Sequence, residues 1–235
     1  MALLSFGIHL LVNALAGYGY FRDELYYLAC SRHLAAGYVD QPPLSIFVLA
    51  LSRIFLGDSI FAIRLVPAIV SGLSVTVLCR LVQRMNGGPT AMTIASLAFI
   101  CSAQILGFHA YYSMNSLDIL FWLVAAYILV LLREHPTTGR WVLLGLVLGI
   151  GLLNKTSALW LGAGVGAGLL LTSFRGQLKT RGPYLAAATA FILFSPFVFW
   201  NVVNGYPHLE FMKNATAGKY SELTRTRYLV DQLVN

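Results

Sequence analysis

Residues 116–132 read SLDILFWLVAAYILVLL, and the reading of this run decides the fold. Its one charge, Asp118, lies near the start, and Arg133 and Glu134 follow directly on its end. Lipid offers a backbone N–H or C=O no partner, so an apolar run of this length crosses a ~30 Å hydrocarbon layer as a helix that bonds to itself. Comparable runs lie near 2–19, 62–82, 90–108, 141–153, 156–173 and 184–203, each bounded by charged or turn-forming residues. The expectation is an all-α, polytopic transmembrane helical bundle with about seven spans. The two runs around Asn154-Lys155 are short, and one bent helix over 141–173 is the alternative.

Composition agrees with a lipid solvent. Of 235 residues, 58% are hydrophobic and 11% charged, whereas a soluble domain carries roughly a quarter of its residues as charges. The net charge of +7 does not indicate nucleic acid, because the sixteen Lys and Arg are scattered among apolar runs and form no single basic face. Membrane lipids with anionic headgroups, or a phosphate-bearing substrate, are the expected partners. Cys30, Cys79 and Cys101 are too few and too irregularly spaced for a disulfide framework or a zinc site, and are read as packing residues. The first run, MALLSFGIHLLVNALAG, ends in an Ala-x-Ala pattern like that of a signal peptide. No Lys or Arg precedes it, so it is read as an uncleaved first span. No short repeat or Ser/Pro-rich linker divides the chain. Residues 1–203 are therefore read as one membrane module with an outer loop at 18–61, and 204–235 as the start of a further long outer loop.

Loop charges set the expected orientation, because Lys and Arg are retained on the cytoplasmic side during insertion. With the amino terminus inside, Arg80/Arg84, Arg133/Arg140 and Arg175/Lys179/Arg181 fall in cytoplasmic loops whose one acid is Glu134. The same choice gathers Asp23, Glu24, Asp40, Asp58 and Asp118 on the opposite, outer side of the membrane. A single crossing over 141–173 would turn the basic loop at 175–181 outward, so two short crossings are expected there.

The first outer loop contains YGYFRDELYYLACSRHLAAGYVDQPPL, residues 18–44, which is too polar to span and too aromatic for a plain connection. Leu25, Leu28, Ala29 and Leu34 can share one side of a helix, with Arg32 and His33 toward headgroups, so an interfacial helix is expected. Asp23 and Glu24 stand at its start, where negative charge suits a helix amino terminus. They either cap that helix or, with Arg22, Asp40 and Arg64 in their company, form part of a site. Pro42-Pro43 cannot continue a helix and holds Gln41 extended before a short helix at 44–56. The prolines make either a plain turn or a rigid edge to the site.

Asp118 would be expensive to bury unpaired. It needs a cation, a metal or a proton unless it caps its own helix, where Asn115 and Ser116 already serve. Lys155 interrupts an apolar region at the outer boundary, and either snorkels to headgroups or holds a phosphate. His33, His109, His135 and His208 show no HxxxH or HExxH spacing, so a zinc hydrolase is not supported. Neither GxSxG, GxGxxG nor a P-loop occurs. No cofactor is indicated with certainty; the clustered acids leave a divalent metal open.

The ordered set GYFRDELYYLA (19–29), GYVDQPPL (37–44), FAIRLVPAIVSG (61–72), SLDILFW (116–122) and LLNKTSALW (152–160) resembles the GT-C superfamily of membrane glycosyltransferases. The similarity is to the bacterial relatives of protein O-mannosyltransferases and of the aminoarabinose–lipid A transferase. The resemblance implies an active site on the outer face, a polyprenyl-phosphate-linked sugar as donor, and a lipid, glycan or protein acceptor. It further implies that Asp23 is the general base, with Glu24 beside it. Asp40 and Gln41 stand where the aminoarabinose transferases tend to have an acidic–basic pair; Gln41 departs from that pattern and removes a cation. The implied mechanism is direct displacement at the anomeric carbon. Asp23 accepts the acceptor's proton while Arg22, Arg64 or Lys155 steadies the departing phosphate. Such families continue through further spans, so the chain is expected to be truncated relative to a full-length member. Tyr206, His208, Glu210, Lys213 and Lys219 then reach toward donor or acceptor, or belong to an ordinary solvated loop.

Two other classes remain at this stage. Intramembrane charges and Gly-broken helices also mark a transporter or flippase for lipid-linked sugars, although no inverted repeat is visible and the acids gather at one face. A non-catalytic membrane subunit is the third reading.

Overall fold

The computed structural model describes residues 1–218, 224, 226–228 and 230. Among the described residues there is no strand. The helices are α1 (Ala2–Leu15), α2 (Arg22–Cys30), α3 (Leu44–Leu56), α4 (Ile60–Arg84), α5 (Pro89–Cys101), α6 (Ala103–Ala110), α7 (Met114–Glu134), α8 (Thr138–Asn154), α9 (Ala158–Leu171), α10 (Gly182–Val203) and α11 (Pro207–Gly218), with a 3-10 segment at Ser173–Lys179. This is an all-α polytopic membrane protein. Its outer surface is apolar where a soluble protein's is charged: Leu3, Phe55, Trp160 and Leu171 are among the many large hydrophobic side chains left exposed, a surface that lipid covers.

Among the described residues three helices, α4, α7 and α10, are long and apolar enough to cross a membrane, and up to five spans result if each of two bent pairs counts as one. Three shorter apolar helices, α1, α3 and α8, accompany them. The predicted run at 90–108 is broken at Ser102, which is extended (φ −67°, ψ 120°), so α5 and α6 meet at 63°. The first run stops at Leu15 instead of 19, because the GYGY segment that follows is non-helical and Gly17 takes φ +65°. At 141–173 the chain makes two helices, with the break at Lys155 (φ −154°, ψ 128°). The 3-10 segment folds back by 101° from α9.

Local sequence sets the helix starts. Ser59 accepts from Ala62 N at 3.1 Å, Ser113 from Asn115 N and Thr137 from Arg140 N, each filling an orphan donor of its first turn. Small residues then let helices approach. A Cβ at Gly149 would lie 2.8 Å from Leu193 Cβ, and one at Gly145 would collide with the Ala186 carbonyl, so α8 and α10 pack backbone to backbone. Ser5 and Ser71 share a buried hydroxyl pair at 2.5 Å between α1 and α4. One core, with Ala125, Ile128, Leu132, Trp141, Leu144 and Ala186, joins α7, α8 and α10. A second, of Tyr27, Ile46, Leu49, Ile63 and Tyr112, lies under α2.

Hydrogen bonds establish which ends lie together. Met114 N at the start of α7 donates to Tyr27 Oη of α2 at 3.1 Å, and its carbonyl accepts from Asn154 Nδ2 at the end of α8 at 2.9 Å. At the other ends of α4 and α7, Arg84 meets Glu134 at 3.3 Å. Asp23, Glu24, Asp40, Asp58 and Asp118 thus lie at the α2 end, and Arg80, Arg84, Arg133 and Arg140 at the opposite end together with Glu134. Cys30, Cys79 and Cys101 are free. Cys101 is exposed, so it does not pack as the sequence led us to expect.

Candidate active site

The centre of the α2 end is a buried carboxylate. Glu24 Oε1 accepts from Arg64 Nε at 2.9 Å and from Tyr112 N at 2.9 Å. Its Oε2 accepts from Arg64 Nη2 at 2.7 Å and from Phe21 N at 2.8 Å. Four donors satisfy both oxygens, and two of them come from a guanidinium fork that matches the carboxylate plane. One side chain thereby joins the first turn of α2, the second turn of α4 and the α6–α7 connection. Arg64 also donates Nη2 to Gly19 O at 2.8 Å and Nη1 to Tyr18 O at 3.4 Å, which fixes the strand of chain leaving α1.

Asp23 precedes Glu24 but faces the other way, because successive helical residues point about 100° apart. Its side chain is 44% exposed, and Oδ1 lies 3.3 Å from Nε of Arg22, whose side chain is 90% exposed. Asp23 Oδ2 has no partner among the described residues. Phe21 and Tyr111 pack at 4.4 Å between ring centroids beside it. The inward face of α2 carries Glu24 and Tyr27, while Leu25 and Ala29, and Leu34 beyond the helix, are exposed. Of the apolar side predicted for this helix, Leu25, Ala29 and Leu34 thus face outward, as an interfacial element requires, while Leu28 packs against the core under α2.

The loop at 31–43 crosses next to α2. Tyr26 Oη donates to Asp40 Oδ1 at 2.6 Å, and burial together with this bond raises the Tyr26 phenol far above its ordinary range, so the proton stays on the tyrosine. Gln41 is 0% exposed, and neither its amide nitrogen nor its amide oxygen has a partner. Such a group costs roughly 1–3 kcal/mol. Its backbone is held by Tyr38 N, which donates to Gln41 O at 3.0 Å.

A second polar group lies where α7 starts and α8 ends. Lys155 Nζ donates to Asn115 Oδ1 at 2.8 Å and lies 3.6 Å from Asp118 Oδ2. Asp118 Oδ1, Asn154 Oδ1 and Ser157 Oγ are buried here without partners. Asp118 thus has the cation its burial demanded. His208 connects this region to the loop: its Nε2 lies 3.4 Å from Thr156 Oγ1, its Nδ1 lies 3.2 Å from Val39 O, and its backbone N donates to Asn201 Oδ1 at 3.2 Å. Tyr206 is exposed at φ +62°. Tyr206 and His208 border a largely apolar cavity of about 750 Å3 between α9, α10 and α11, with Trp160, Phe194 and Phe197 on its walls and Thr156 and Ser157 at its rim. Glu210 and Lys213 are exposed on α11, and Lys219 lies outside the described residues.

The structure therefore brings Arg22, Asp23, Glu24 and Arg64 to one cluster, Asp118 and Lys155 to a second, and Asp40, Gln41 and His208 to the loop between α2 and α3, all at one end. Among the described residues no group of three or more His, Cys, Asp or Glu side chains is arranged to hold a metal ion. Sequence reasoning missed Tyr26, Tyr112 and Asn154, and it read Asn115 and Ser116 as caps of α7, where Ser113 is the cap and the Asn115 side chain accepts from Lys155 instead. The signal for Asn154 was present in the pairing of an amide with Lys155 at a break between apolar runs, and Tyr112 sits in the aromatic break HAYYS between two spans.

Comparison with known proteins places this arrangement in a family. The dolichyl-phosphate-mannose-protein mannosyltransferase family matches residues 40–200. Lipid A galacturonosyltransferase RgtD of Rhizobium johnstonii is 24% identical over 188 residues, covering 78% of this chain and 38% of that protein. The undecaprenyl phosphate-alpha-4-amino-4-deoxy-L-arabinose arabinosyl transferase of Pseudomonas aeruginosa strain UCBPP-PA14 is 24% identical over 179 residues, 68% of this chain and 32% of its own length. The transferase of that name from Edwardsiella ictaluri is 27% identical over 150 residues, 57% of this chain and 27% of its own length. The chain thus spans about a third of the length of these relatives. No solved structure matches it. With more than half of its residues inside the family match and its helices arranged as a membrane bundle, the chain belongs to the dolichyl-phosphate-mannose-protein mannosyltransferase family, within the GT-C superfamily of membrane glycosyltransferases.

Proposed function

We propose that this chain forms the membrane core of a glycosyltransferase that moves a sugar from a polyprenyl-phosphate donor to an acceptor at the periplasmic face of the inner membrane, with Asp23 as general base. The observation that carries this reading is the difference between two adjacent acids. Glu24 has both oxygens filled by four donors, and a proton arriving there would break the Arg64 pair. Asp23 sits on the same turn with an oxygen free and open to solvent. A carboxylate so placed can orient an acceptor hydroxyl and take its proton as the oxygen attacks the anomeric carbon. Glu24 and Arg64 act as positioning residues that hold the turn carrying Asp23.

The donor's phosphate is assigned to Lys155 and Arg22, which have accessible charge, since Arg64 is committed to Glu24 and to two backbone carbonyls. As the glycosidic bond breaks, charge grows on the phosphate oxygen, and a nearby ammonium or guanidinium lowers that barrier. The cavity bordered by Phe194 and Phe197 is of a size and apolarity to take part of an isoprenoid chain, and its rim, Thr156 and Ser157, follows directly on Lys155. The relatives' names support lipid-linked sugars: undecaprenyl phosphate aminoarabinose in two, lipid A as the molecule acted on in the third. Asp40, Gln41, Asp118, Tyr206 and His208 are proposed to border the sugar.

Transfer of labelled sugar from polyprenyl phosphate, measured in membranes containing the full-length protein, tests this. D23N is expected to lower transfer by roughly 100-fold or more while the protein still accumulates and still binds donor. Movement of the lipid-linked sugar across the bilayer, without transfer and indifferent to D23N, would identify a flippase instead.

A further inference from the structure

At the end of the bundle opposite the candidate active site, α4 and α7 leave a cavity of about 340 Å3 lined by Arg80, Gln83, Arg84, Asn86, Tyr127 and Glu134. Every wall residue is polar, in a chain that is 58% hydrophobic. On α4, the 16 residues from Arg64 to Arg80 span about 24 Å of helix, so this cavity is separate from the active site.

The polar groups are unequal in kind. Glu134 supplies the cavity's one carboxylate, and Oε2 of that group lies 3.3 Å from Arg84 Nη1. The Arg80 guanidinium, the Gln83 and Asn86 amides and the Tyr127 hydroxyl have no side-chain partners among the described residues. Free donors thus outnumber free acceptors, and the unpaired charge is positive. The complement is an acceptor-rich anion, and a tetrahedral phosphate presents enough oxygens to meet two guanidinium groups, an amide and a phenol together. Attraction of basic side chains to the last carbonyls of a helix accounts for Arg84, in the final turn of α4. It does not account for Tyr127, two turns inside α7, or for Arg80, a turn inside α4, lining the same cavity. The cavity lies where long apolar helices end, which is the depth of lipid headgroups.

We propose that this cavity binds the phosphate of a phospholipid headgroup, with Arg80 as the principal cation, Arg84 shared between that phosphate and Glu134, and Tyr127 at the deep edge. The full-length protein, stripped of lipid in a neutral detergent, tests it with two probes. One is phosphatidylglycerol, with diacylglycerol of the same chains as its phosphate-free control; the other is inorganic phosphate alone. Native mass spectrometry is expected to show one retained phosphatidylglycerol and no diacylglycerol. R80Q should lower retention about tenfold through loss of a charge-assisted hydrogen bond. Y127F, which changes no charge and guards against a folding defect in R80Q, should lower it less. The pair R175Q/K179Q, basic residues of the same end but outside the cavity, should leave retention unchanged. Equal losses in R80Q and R175Q/K179Q would show attraction to a charged face at large and overturn the proposal. Arg80-dependent protection by inorganic phosphate without retention of phosphatidylglycerol would make this a site for a free anion and overturn the lipid assignment. Indifference of both probes to Arg80 and Tyr127 would remove the site altogether.

Discussion

Glu24 and Arg64, 40 positions apart in the chain, meet through two near-parallel hydrogen bonds of 2.9 and 2.7 Å with both side chains withdrawn from solvent. A buried pair of this kind contributes little net stability when intact but is costly to halve, because the survivor is left charged in a poor solvent. E24Q is expected to destabilise the protein by about 3–5 kcal/mol, read as thermal unfolding in detergent. The double variant E24Q/R64Q should be less destabilised than the sum of the single changes, since no lone charge remains. Strict additivity would show that the pair does not hold the α2 turn.

Asp23, one residue away, should behave oppositely. Its side chain is half exposed and caps no structure beyond Arg22, so D23N removes a base without removing a brace. Turnover is expected to fall by roughly 100-fold or more, the usual worth of a positioned general base, with unfolding temperature and donor affinity close to wild type. A variant that loses stability in proportion to turnover would assign Asp23 a structural part.

The division between these two acids marks the limit of what the sequence could reveal. The runs at 62–82, 116–132 and 184–203 became α4, α7 and α10 because length and apolarity alone decide a long membrane helix. Hydropathy reports the solvent, not φ and ψ, so the break at Ser102 and the early stop of α1 at Leu15 left no mark in it. The gathering of Asp23, Asp40, Asp58 and Asp118 at one end was legible, because loop charge sets helix direction. Which acid pairs with Arg64 was not legible. Asp23 and Glu24 are neighbours of one chemistry, and the rotation of α2 that turns Glu24 inward is set by the packing of Tyr27 on Tyr112.

Asp118 and Lys155 offer a test that separates structure from chemistry. K155A leaves Asp118 half-buried without its cation, and the expected loss is roughly 1–3 kcal/mol of stability together with weakened donor binding. D118N/K155Q removes both charges and should recover most of the stability, while donor binding stays weak because the phosphate still lacks its ammonium. Recovery of donor binding along with stability would exclude Lys155 from the phosphate.

Arg53 and Asp58 give a pH dependence. Arg53 donates to both Asp58 oxygens, at 2.5 and 2.9 Å, and these bonds hold the Asp58 carboxyl below its ordinary range. A depressed folded value means the tie contributes at any pH above the unfolded carboxylate value of ~3.9. The contribution is lost as pH falls through the folded value. The difference in thermal stability between wild type and D58N should therefore be flat through neutrality and shrink only below about pH 4. A difference that disappears near neutrality would point to another group.

Gln41 provides the sharpest contrast between folding and function. Its amide is fully buried with neither atom partnered, and Pro42-Pro43 fixes the backbone so that it cannot swing out to find water. A group that destabilises the fold in this way persists where it has another task. Q41L keeps the volume, removes two orphaned polar atoms, and should stabilise the protein by about 1–3 kcal/mol. If donor binding opens the loop and brings the amide to the sugar, the same change lowers transfer through a raised donor KM, because ligand hydroxyls lose their partner. Thermal unfolding and transfer kinetics on one preparation decide it. A variant that is more stable and equally active would return Gln41 to the role of an imperfectly packed loop residue, whereas one that is more stable and less active places its amide at the substrate.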